Sequence, residues 1–526
     1  MTNSIAEIED ADCMFVIGSN TTEAHPVIAL RMKKALRRGA KLVVADPRKT
    51  WLAEHADIHL QLTPGTDIPL LNAMAYVILE EGLQDHDYVE RLTENFDEFA
   101  AAAREWPPER AAEVCGVPAD LIREAARVYA TTERAGIYYT LGITEHICGV
   151  DNVRALSNMA LITGHIGREA AGVNPLRGQN NVQGCNDMGN NPVFLPGYQA
   201  VDNDEDRAKF SKAWGVELSS VPGLRLDQMM SGMHDDSVKA FFIMGEDPIL
   251  SEPNLTKVEK GFEQLDFVAC QDIFLTETAR KYADVVLPSS CFAEKSGTFT
   301  NSERRVQRVR KSIDPPGNAR TDLQILMDVA AELGHDWGGD NPEQVWNEFA
   351  ALSPKFSGIQ YSRIENVGLQ WPCPDNEHPG TKFLHEGAPL RGKGLLYPVD
   401  HVPPGEEPCE EYPTLLTTGR TLFHYNAATM TMRSPGSVQK QQLPFVEISP
   451  DDARDMGFEQ GQKVRMQSRR GEVEVCADIT DRVHPGVVWM GMHYAEARAN
   501  LLTGDAKDPE IGVPEYKVTA VRLLPA

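Results

Sequence analysis

A four-part pattern that appears twice restricts this chain more than any other feature. In the first copy an apolar run, Asp12-Cys-Met-Phe-Val-Ile-Gly18-Ser-Asn20, reads as a buried parallel strand that ends in glycine and opens into a polar loop. His25 to Arg38 follows with helical periodicity and closes at Gly39. Lys41-Leu-Val-Val-Ala-Asp46 is a second strand tipped by an acid, and Ala56 to Leu62 is a third edge before the loop Thr63-Pro-Gly65-Thr-Asp67. The second copy runs through Lys239-Ala-Phe-Phe-Ile-Met-Gly245-Glu-Asp247, a helix over 254–265, Phe267-Val-Ala-Cys-Gln271-Asp272, and Thr278 to Pro288. Strands ending in glycine and aspartate occur in all doubly wound sheets; the matched order of four features is what argues for a duplication. An acid at the tip of the second strand is where such folds hold a ribose or a base edge. Two half-sites of that kind imply two similar ligands, or one ligand with two nucleotide arms. The glycines do not form GxGxxG, so a standard NAD site is not supported.

Between the copies lies another strand ending at glycine, Gly136 to Gly142, and a helix over 151–163. The stretch Arg177-Gly-Gln-Asn-Asn-Val-Gln-Gly-Cys-Asn-Asp-Met-Gly189 comes next. With almost no apolar residues it has no face to bury, so it is either an ordered polar linker or a shaped loop whose donors suit an anionic ligand. Residues 315–410, rich in Pro and Gly toward their end, read as a long connection over the surface with helices at 321–333 and 341–350. From Tyr412 short β runs at 414–418, 445–448, 462–466, 471–475 and 486–490 are separated by turn signals such as Ser468-Arg-Arg-Gly471. The expected fold is α/β: two doubly wound nucleotide-binding-type αβα domains at 1–179 and 180–340, a connection at 341–410, and a C-terminal β-barrel domain at 411–526.

A net charge of −26 repels a polyanion and argues against a nucleic-acid surface. No apolar run reaches the ~18 residues of a membrane span, and the acidic N-terminus lacks the pattern of a secretory signal, so a cytoplasmic protein is expected. The nine cysteines are scattered without a CxxC, and the histidines, among them His25, His165 and His424, do not have metal-ligand spacing. No metal ligand is assigned within the chain.

The strings VIGSNTTEAHP, VVADPRKT, LTPGTD, NPLRGQNNVQGCNDMG, IMGEDP, CQDIFLTETA, ADVVLPS, GTFTNSERRVQ, TTGRTLFHY and PEYKVTAVR together resemble the large subunit of molybdopterin-dependent formate dehydrogenases, in the dimethyl sulfoxide reductase superfamily. The resemblance covers essentially the whole chain, and its Arg-Gly-Gln-Asn-Asn-Val-Gln-Gly string is the most specific part. It implies a bis(molybdopterin guanine dinucleotide) cofactor on molybdenum or tungsten, with one guanosine arm for each α/β half. It implies that Asp46, Arg48, Gly65 and Asp67 hold one arm, with Gly18, Asn20 and Gly142 at the strand exits beside them. Gly245, Asp247, Gln271 and Asp272 would hold the other, and Gln179, Asn180, Arg420, His424, Asn500, Tyr516 and Lys517 would line the pterins. It assigns catalysis to Arg177, which would orient the formate carboxylate. A permanently charged planar guanidinium can bind both carboxylate oxygens at once, which lysine cannot do.

Two parts of the family pattern have no counterpart in this chain: the cysteine cluster that binds a [4Fe–4S] centre, and the cysteine or selenocysteine, followed by histidine, that ligates the metal. The resemblance implies that both lie ahead of the residue aligned with Met1, as they would if a selenocysteine codon were read as a stop and the reading frame restarted at an internal methionine. The expected partners are formate, an N-terminal segment or partner chain carrying those ligands, and electron-transfer subunits. Alone, the chain is expected to bind cofactor poorly and to be inactive. Two other readings stand beside this one: another molybdopterin oxidoreductase such as a nitrate reductase, or a cofactor-free relative like the large iron–sulfur subunit of respiratory complex I.

Overall fold

The computed structural model describes all 526 residues, and its contacts divide the chain into two units. The first comprises Met1–Gly178, Leu250–Val258 and Phe383–Ala526; the second comprises Gln179–Ile249 and Glu259–Lys382. The fold is mixed α/β with parallel sheets and a closed six-stranded barrel near the C-terminus.

In the first unit, five parallel strands run in the order Ile58–Leu60, Lys41–Ala45, Cys13–Ile17, Ala135–Tyr139 and Gly172–Pro175. Period-2 alternation sends Cys13, Phe15 and Ile17 to one apolar cluster and Met14 and Val16 to another, so both faces of the sheet are covered. On the first face the helix Asp67–Glu80 buries nearly every side chain, including Leu70, Leu71 and Met74. On the other the helix Pro26–Arg37 buries Ile28, Ala29, Met32 and Ala35, a single stripe at helical spacing. Proline at its first position and Gly39 at φ +95° just past its end set its limits.

The strand order reverses between Cys13–Ile17 and Ala135–Tyr139. At such a switch point the two connections leave in opposite directions and open a crevice at the carboxyl ends of the strands. Gly18 directly follows the first of these strands; the other, expected to run on to Gly142, stops at Tyr139 and leaves Gly142 in the helical turn Leu141–Thr144 just beyond.

The barrel of the first unit runs Thr414–Gly419, Val487–Gly491, Phe445–Ile448, Glu472–Ile479, Lys463–Gln467 and Thr519–Pro525, and closes by antiparallel pairing of the last strand with the first. Five of these strands match the sequence expectation. The sixth, Thr519–Pro525, lies in a stretch that carried no strand reading.

In the second unit, three parallel strands lie in the order Val285–Pro288, Phe267–Asp272 and Ala240–Met244, the same order as the first three strands of the first unit. Residues 346–373, expected to run over the surface, instead build a small core. Trp346, Phe349, Phe356, Ile359 and Cys373 are buried there with Val306. The aromatic content of that segment supplies the burial that a surface connection lacks.

Candidate functional site

A cleft in the first unit opens at the switch point, lined on one side by the strand ends and on the other by the barrel. Its floor depends on two glycines in contact. The amide of Gly142 donates to the Gly18 carbonyl at 3.2 Å, and the Thr140 hydroxyl donates to the same oxygen at 2.7 Å. A Cβ on Gly142 would lie 2.6 Å from the Gly18 Cα, and Gly18 itself has φ +54°. Neither position has room for a side chain.

Two acids line this floor, and a third is tied to its lysine. Asp46 follows the strand Lys41–Ala45, is buried, and accepts a 2.9 Å hydrogen bond from the Arg48 amide. Burial pushes its carboxyl up to about 6 against that bond and the Arg48 charge. Asp67 begins the helix Asp67–Glu80, where the helix dipole favours an anion, yet burial raises its pKa also. Glu145 pairs with the buried ammonium of Lys517 at 2.8 Å, and Lys517 Nζ also donates to the Thr418 carbonyl at 3.1 Å.

The cationic side is Arg420, whose buried Nε and Nη2 have no hydrogen-bond partner in the protein; burial lowers its pKa. Asn20 likewise leaves its Nδ2 buried without a partner. Buried donors in this state mark where a ligand supplies acceptors. Arg48 behaves differently. Its guanidinium forms a two-pronged pair with the buried carboxylate of Glu447 at 2.6 and 2.5 Å and lies 4.0 Å over the Trp489 ring. It joins the sheet side of the cleft to the barrel, and Nη1, 4.0 Å from Glu23, remains outside the pair with Glu447.

Arg177 is exposed and lies between two residues of the cleft lining, Leu176 and Gly178. Its carbonyl accepts a 2.8 Å hydrogen bond from Nε2 of His25, at the entry to the helix Pro26–Arg37. Burial holds the His25 imidazole down to about 4, so it is neutral and fixes the loop without adding charge.

The cleft therefore brings together Gly18, Asn20, Asp46, Arg48, Gly65, Asp67, Gly142, Arg420 and Lys517 of the residues expected from the sequence. Three others of the first unit are engaged elsewhere. The Asn500 amide donates to the carbonyls of Leu250 and Ser251, and the Tyr516 hydroxyl donates to that of Ser251. The His424 ring nitrogens face the Thr431 hydroxyl at 3.2 Å and the Gln441 carbonyl at 2.7 Å.

In the second unit, Asp247 is buried and accepts from the amides of Glu277 and Thr278 and from the Thr278 hydroxyl, capping the helix Glu277–Tyr282. Gln271 donates to Asp322 at 2.9 Å and leaves its buried Oε1 without a partner. Asp272 accepts from the Phe274 amide at 3.1 Å, and Gly245, at φ +69°, is exposed at its strand end. Gln179 and Asn180 are exposed at the unit's first residues.

The sequence reading missed His146, Thr140 and Trp489, all of which line the cleft. The polar triplet Thr144-Glu145-His146, just beyond a strand-ending glycine, was the available signal for His146. Nothing local marks Trp489, which reads as one more barrel residue.

Residues 1–332 match the family model described as molybdopterin oxidoreductase, and residues 414–520 match the molydopterin dinucleotide binding domain. The chain is 47% identical over 528 residues to the F420-dependent formate dehydrogenase subunit alpha of Methanocaldococcus jannaschii, covering 99% of this chain and 78% of that protein. It is 39% identical to formate dehydrogenase H of Escherichia coli, over 100% of this chain and 74% of that one. Among solved structures, acetylene hydratase from Pelobacter acetylenicus superposes with a TM-score of 0.78 at 21% identity, covering 99% of this chain and 81% of that one, which speaks to the fold alone.

Proposed function

The chain belongs to the molybdopterin oxidoreductase family, and from that premise we propose that it is the catalytic part of a formate dehydrogenase, converting formate to carbon dioxide. The observation that carries the reading is the first unit's cleft, where unpartnered buried donors of Asn20 and Arg420 line the same space as the acids Asp46 and Asp67 and the side-chain-free backbone of Gly18 and Gly142. That donor set fits a pterin–nucleotide group: the acids accept from a guanine edge, the glycines admit the phosphates close to backbone, and the guanidinium and amide meet anionic or carbonyl oxygens. Gly245, Gln271 and Asp272 of the second unit would hold the other nucleotide arm, with the open Oε1 of Gln271 as an acceptor.

When bound, the metal–pterin group supplies the two-electron acceptor. Formate gives up a hydride, or a proton and two electrons, and leaves as carbon dioxide. The protein's share is binding and orientation. Arg177 presents a guanidinium fork to both formate oxygens, which turns the C–H bond away from the arginine. His25, neutral and bonded to the Arg177 carbonyl, keeps that loop in place.

The electrons need an exit, and we assign it to an iron–sulfur relay and electron-transfer subunits whose ligands lie outside these residues. In the second unit Phe242, Met244 and Phe267 are each 44% exposed on a three-stranded sheet, beside exposed Val285 and Val286. Apolar surface of this kind is where a partner segment packs. No helix is long and apolar enough to cross a membrane, and we place the enzyme in the cytoplasm.

The test is metal, pterin and guanine-nucleotide analysis of the native protein, with formate-dependent dye reduction measured on the same sample. Stoichiometric cofactor with formate turnover supports the reading. Nitrate turnover without formate turnover, or a native protein with neither metal nor pterin, overturns it.

A further inference from the structure

We propose that His146 is a positioning residue: as an imidazolium between Asp67 and Glu515 it ties the cleft floor to the segment entering the last barrel strand, and the tie loosens as pH rises. His146 is buried, with Nε2 donating to the Gly142 carbonyl at 2.9 Å and lying 3.9 Å from Asp67 Oδ2. Nδ1 stands 3.7 Å from Glu515 Oε1, an ion-pair separation, and has no hydrogen bond of its own. With Nε2 carrying the proton, a neutral ring turns the Nδ1 lone pair toward a buried carboxylate. Protonation replaces that repulsion with attraction between one cation and two buried anions. Glu515 is otherwise held only by backbone amides, those of Ile147 at 3.4 Å and Gly405 at 2.8 Å.

The neighbouring groups reinforce the sign. Burial alone lowers the His146 pKa, but Glu515 and Asp67 turn the balance upward. Cys148, at the N-cap of the helix Gly149–Ile162, is pushed up to about 12 by burial and by those same carboxylates, so it stays a neutral thiol. Asp508 accepts from the Val150 amide at 3.0 Å and adds negative charge on the C-terminal side. Glu145 is paired with Lys517, and Asp46 feels both Asp67 and Lys517. A histidine whose folded pKa is raised stabilises fully below its unfolded value near ~6.5, and that contribution is lost as pH climbs through the folded value. Because Lys517 lies two residues past Glu515, loosening this tie frees the barrel side of the cleft.

The inference rests on the reading above, in which Asp67 holds a nucleotide arm, and the experiment separates the two. Hydrogen exchange at the amides of Val513, 515–518 and Gly405 is followed from pH 6 to 9, corrected for intrinsic rates, in the cofactor-loaded enzyme and its H146Q and E515Q variants. Guanine-nucleotide content is measured alongside, including in D67N. Wild-type protection should fall about tenfold across the range, while H146Q and E515Q are low and flat throughout. Flat wild-type protection, or H146Q matching wild type at every pH, overturns the tie. If protection follows His146 while D67N retains full nucleotide, the tie stands and the assignment of Asp67 to the nucleotide falls.

Discussion

The guanidinium of Arg420 occupies the space that a side chain on Gly178 would need: a Cβ there would lie 2.5 Å from Arg420 Nη1 and collide with Nη2. The loop that carries Arg177 and the guanidinium of Arg420, whose Nε and Nη2 are buried without partners, are thus fitted to each other through a bare Cα. Gly178→Ala should move the guanidinium out of the cleft. The guanidinium is the free end of a flexible side chain and yields at little cost in stability, but a displacement near 1 Å costs roughly 100-fold in turnover. Formate-dependent dye reduction, with pterin content measured on the same sample, checks this; unchanged turnover would show that Arg420 has no role at this position.

Arg48 and Glu447 act as one unit. Arg48→Ala strands a carboxylate that is fully buried and otherwise meets only Arg482 at 3.3 Å. Removing one partner of such a pair destabilises by about 3–5 kcal/mol. The double variant Arg48→Met, Glu447→Leu should recover much of that loss, because neither charge is then left alone. Urea denaturation midpoints of the two variants measure the difference.

Asp46 predicts a pH dependence of the cofactor-free chain. Its pKa is raised to about 6 by burial, against about 3.9 unfolded. Stability contributed by the protonated form is complete below the unfolded value and is lost as pH rises through the folded one, by roughly 3 kcal/mol at 1.36 kcal/mol per unit. Between pH 4 and 7 the Asp46 contribution to the melting temperature should fall, so relative to Asp46→Asn the wild type should lose stability over that range. An unchanged slope in the variant would remove Asp46 as the titrating group.

What could be read in advance follows from what each feature depends on. The strand ends just before Gly18 and Asp46 were legible because apolar runs and their terminating residues are local, whereas the strand expected to reach Gly142 stops at Tyr139. The five barrel strands between 414 and 491 were legible for the same reason. The partners of Arg48, Asn500 and Tyr516 were not, since each is set by a contact across hundreds of residues: Glu447, Leu250 and Ser251. Asp247 shows the same limit. Its place after a strand-ending glycine suggested a ligand acid, while its contacts with the Glu277 and Thr278 amides, set by a fold that brings residues thirty positions apart together, could not be read from sequence. His146 was passed over because a lone histidine carries no periodic signal, and only the fold brings Asp67 and Glu515 to it.

The central claim is that a guanidinium orients a small carboxylate, and Arg177→Lys tests it most directly because the charge remains while the planar fork is lost. Turnover of formate is measured by dye reduction in the cofactor-loaded variant, normalised to its metal and pterin content. The account predicts wild-type cofactor content with turnover reduced about 100-fold or more. Wild-type turnover per pterin would contradict it.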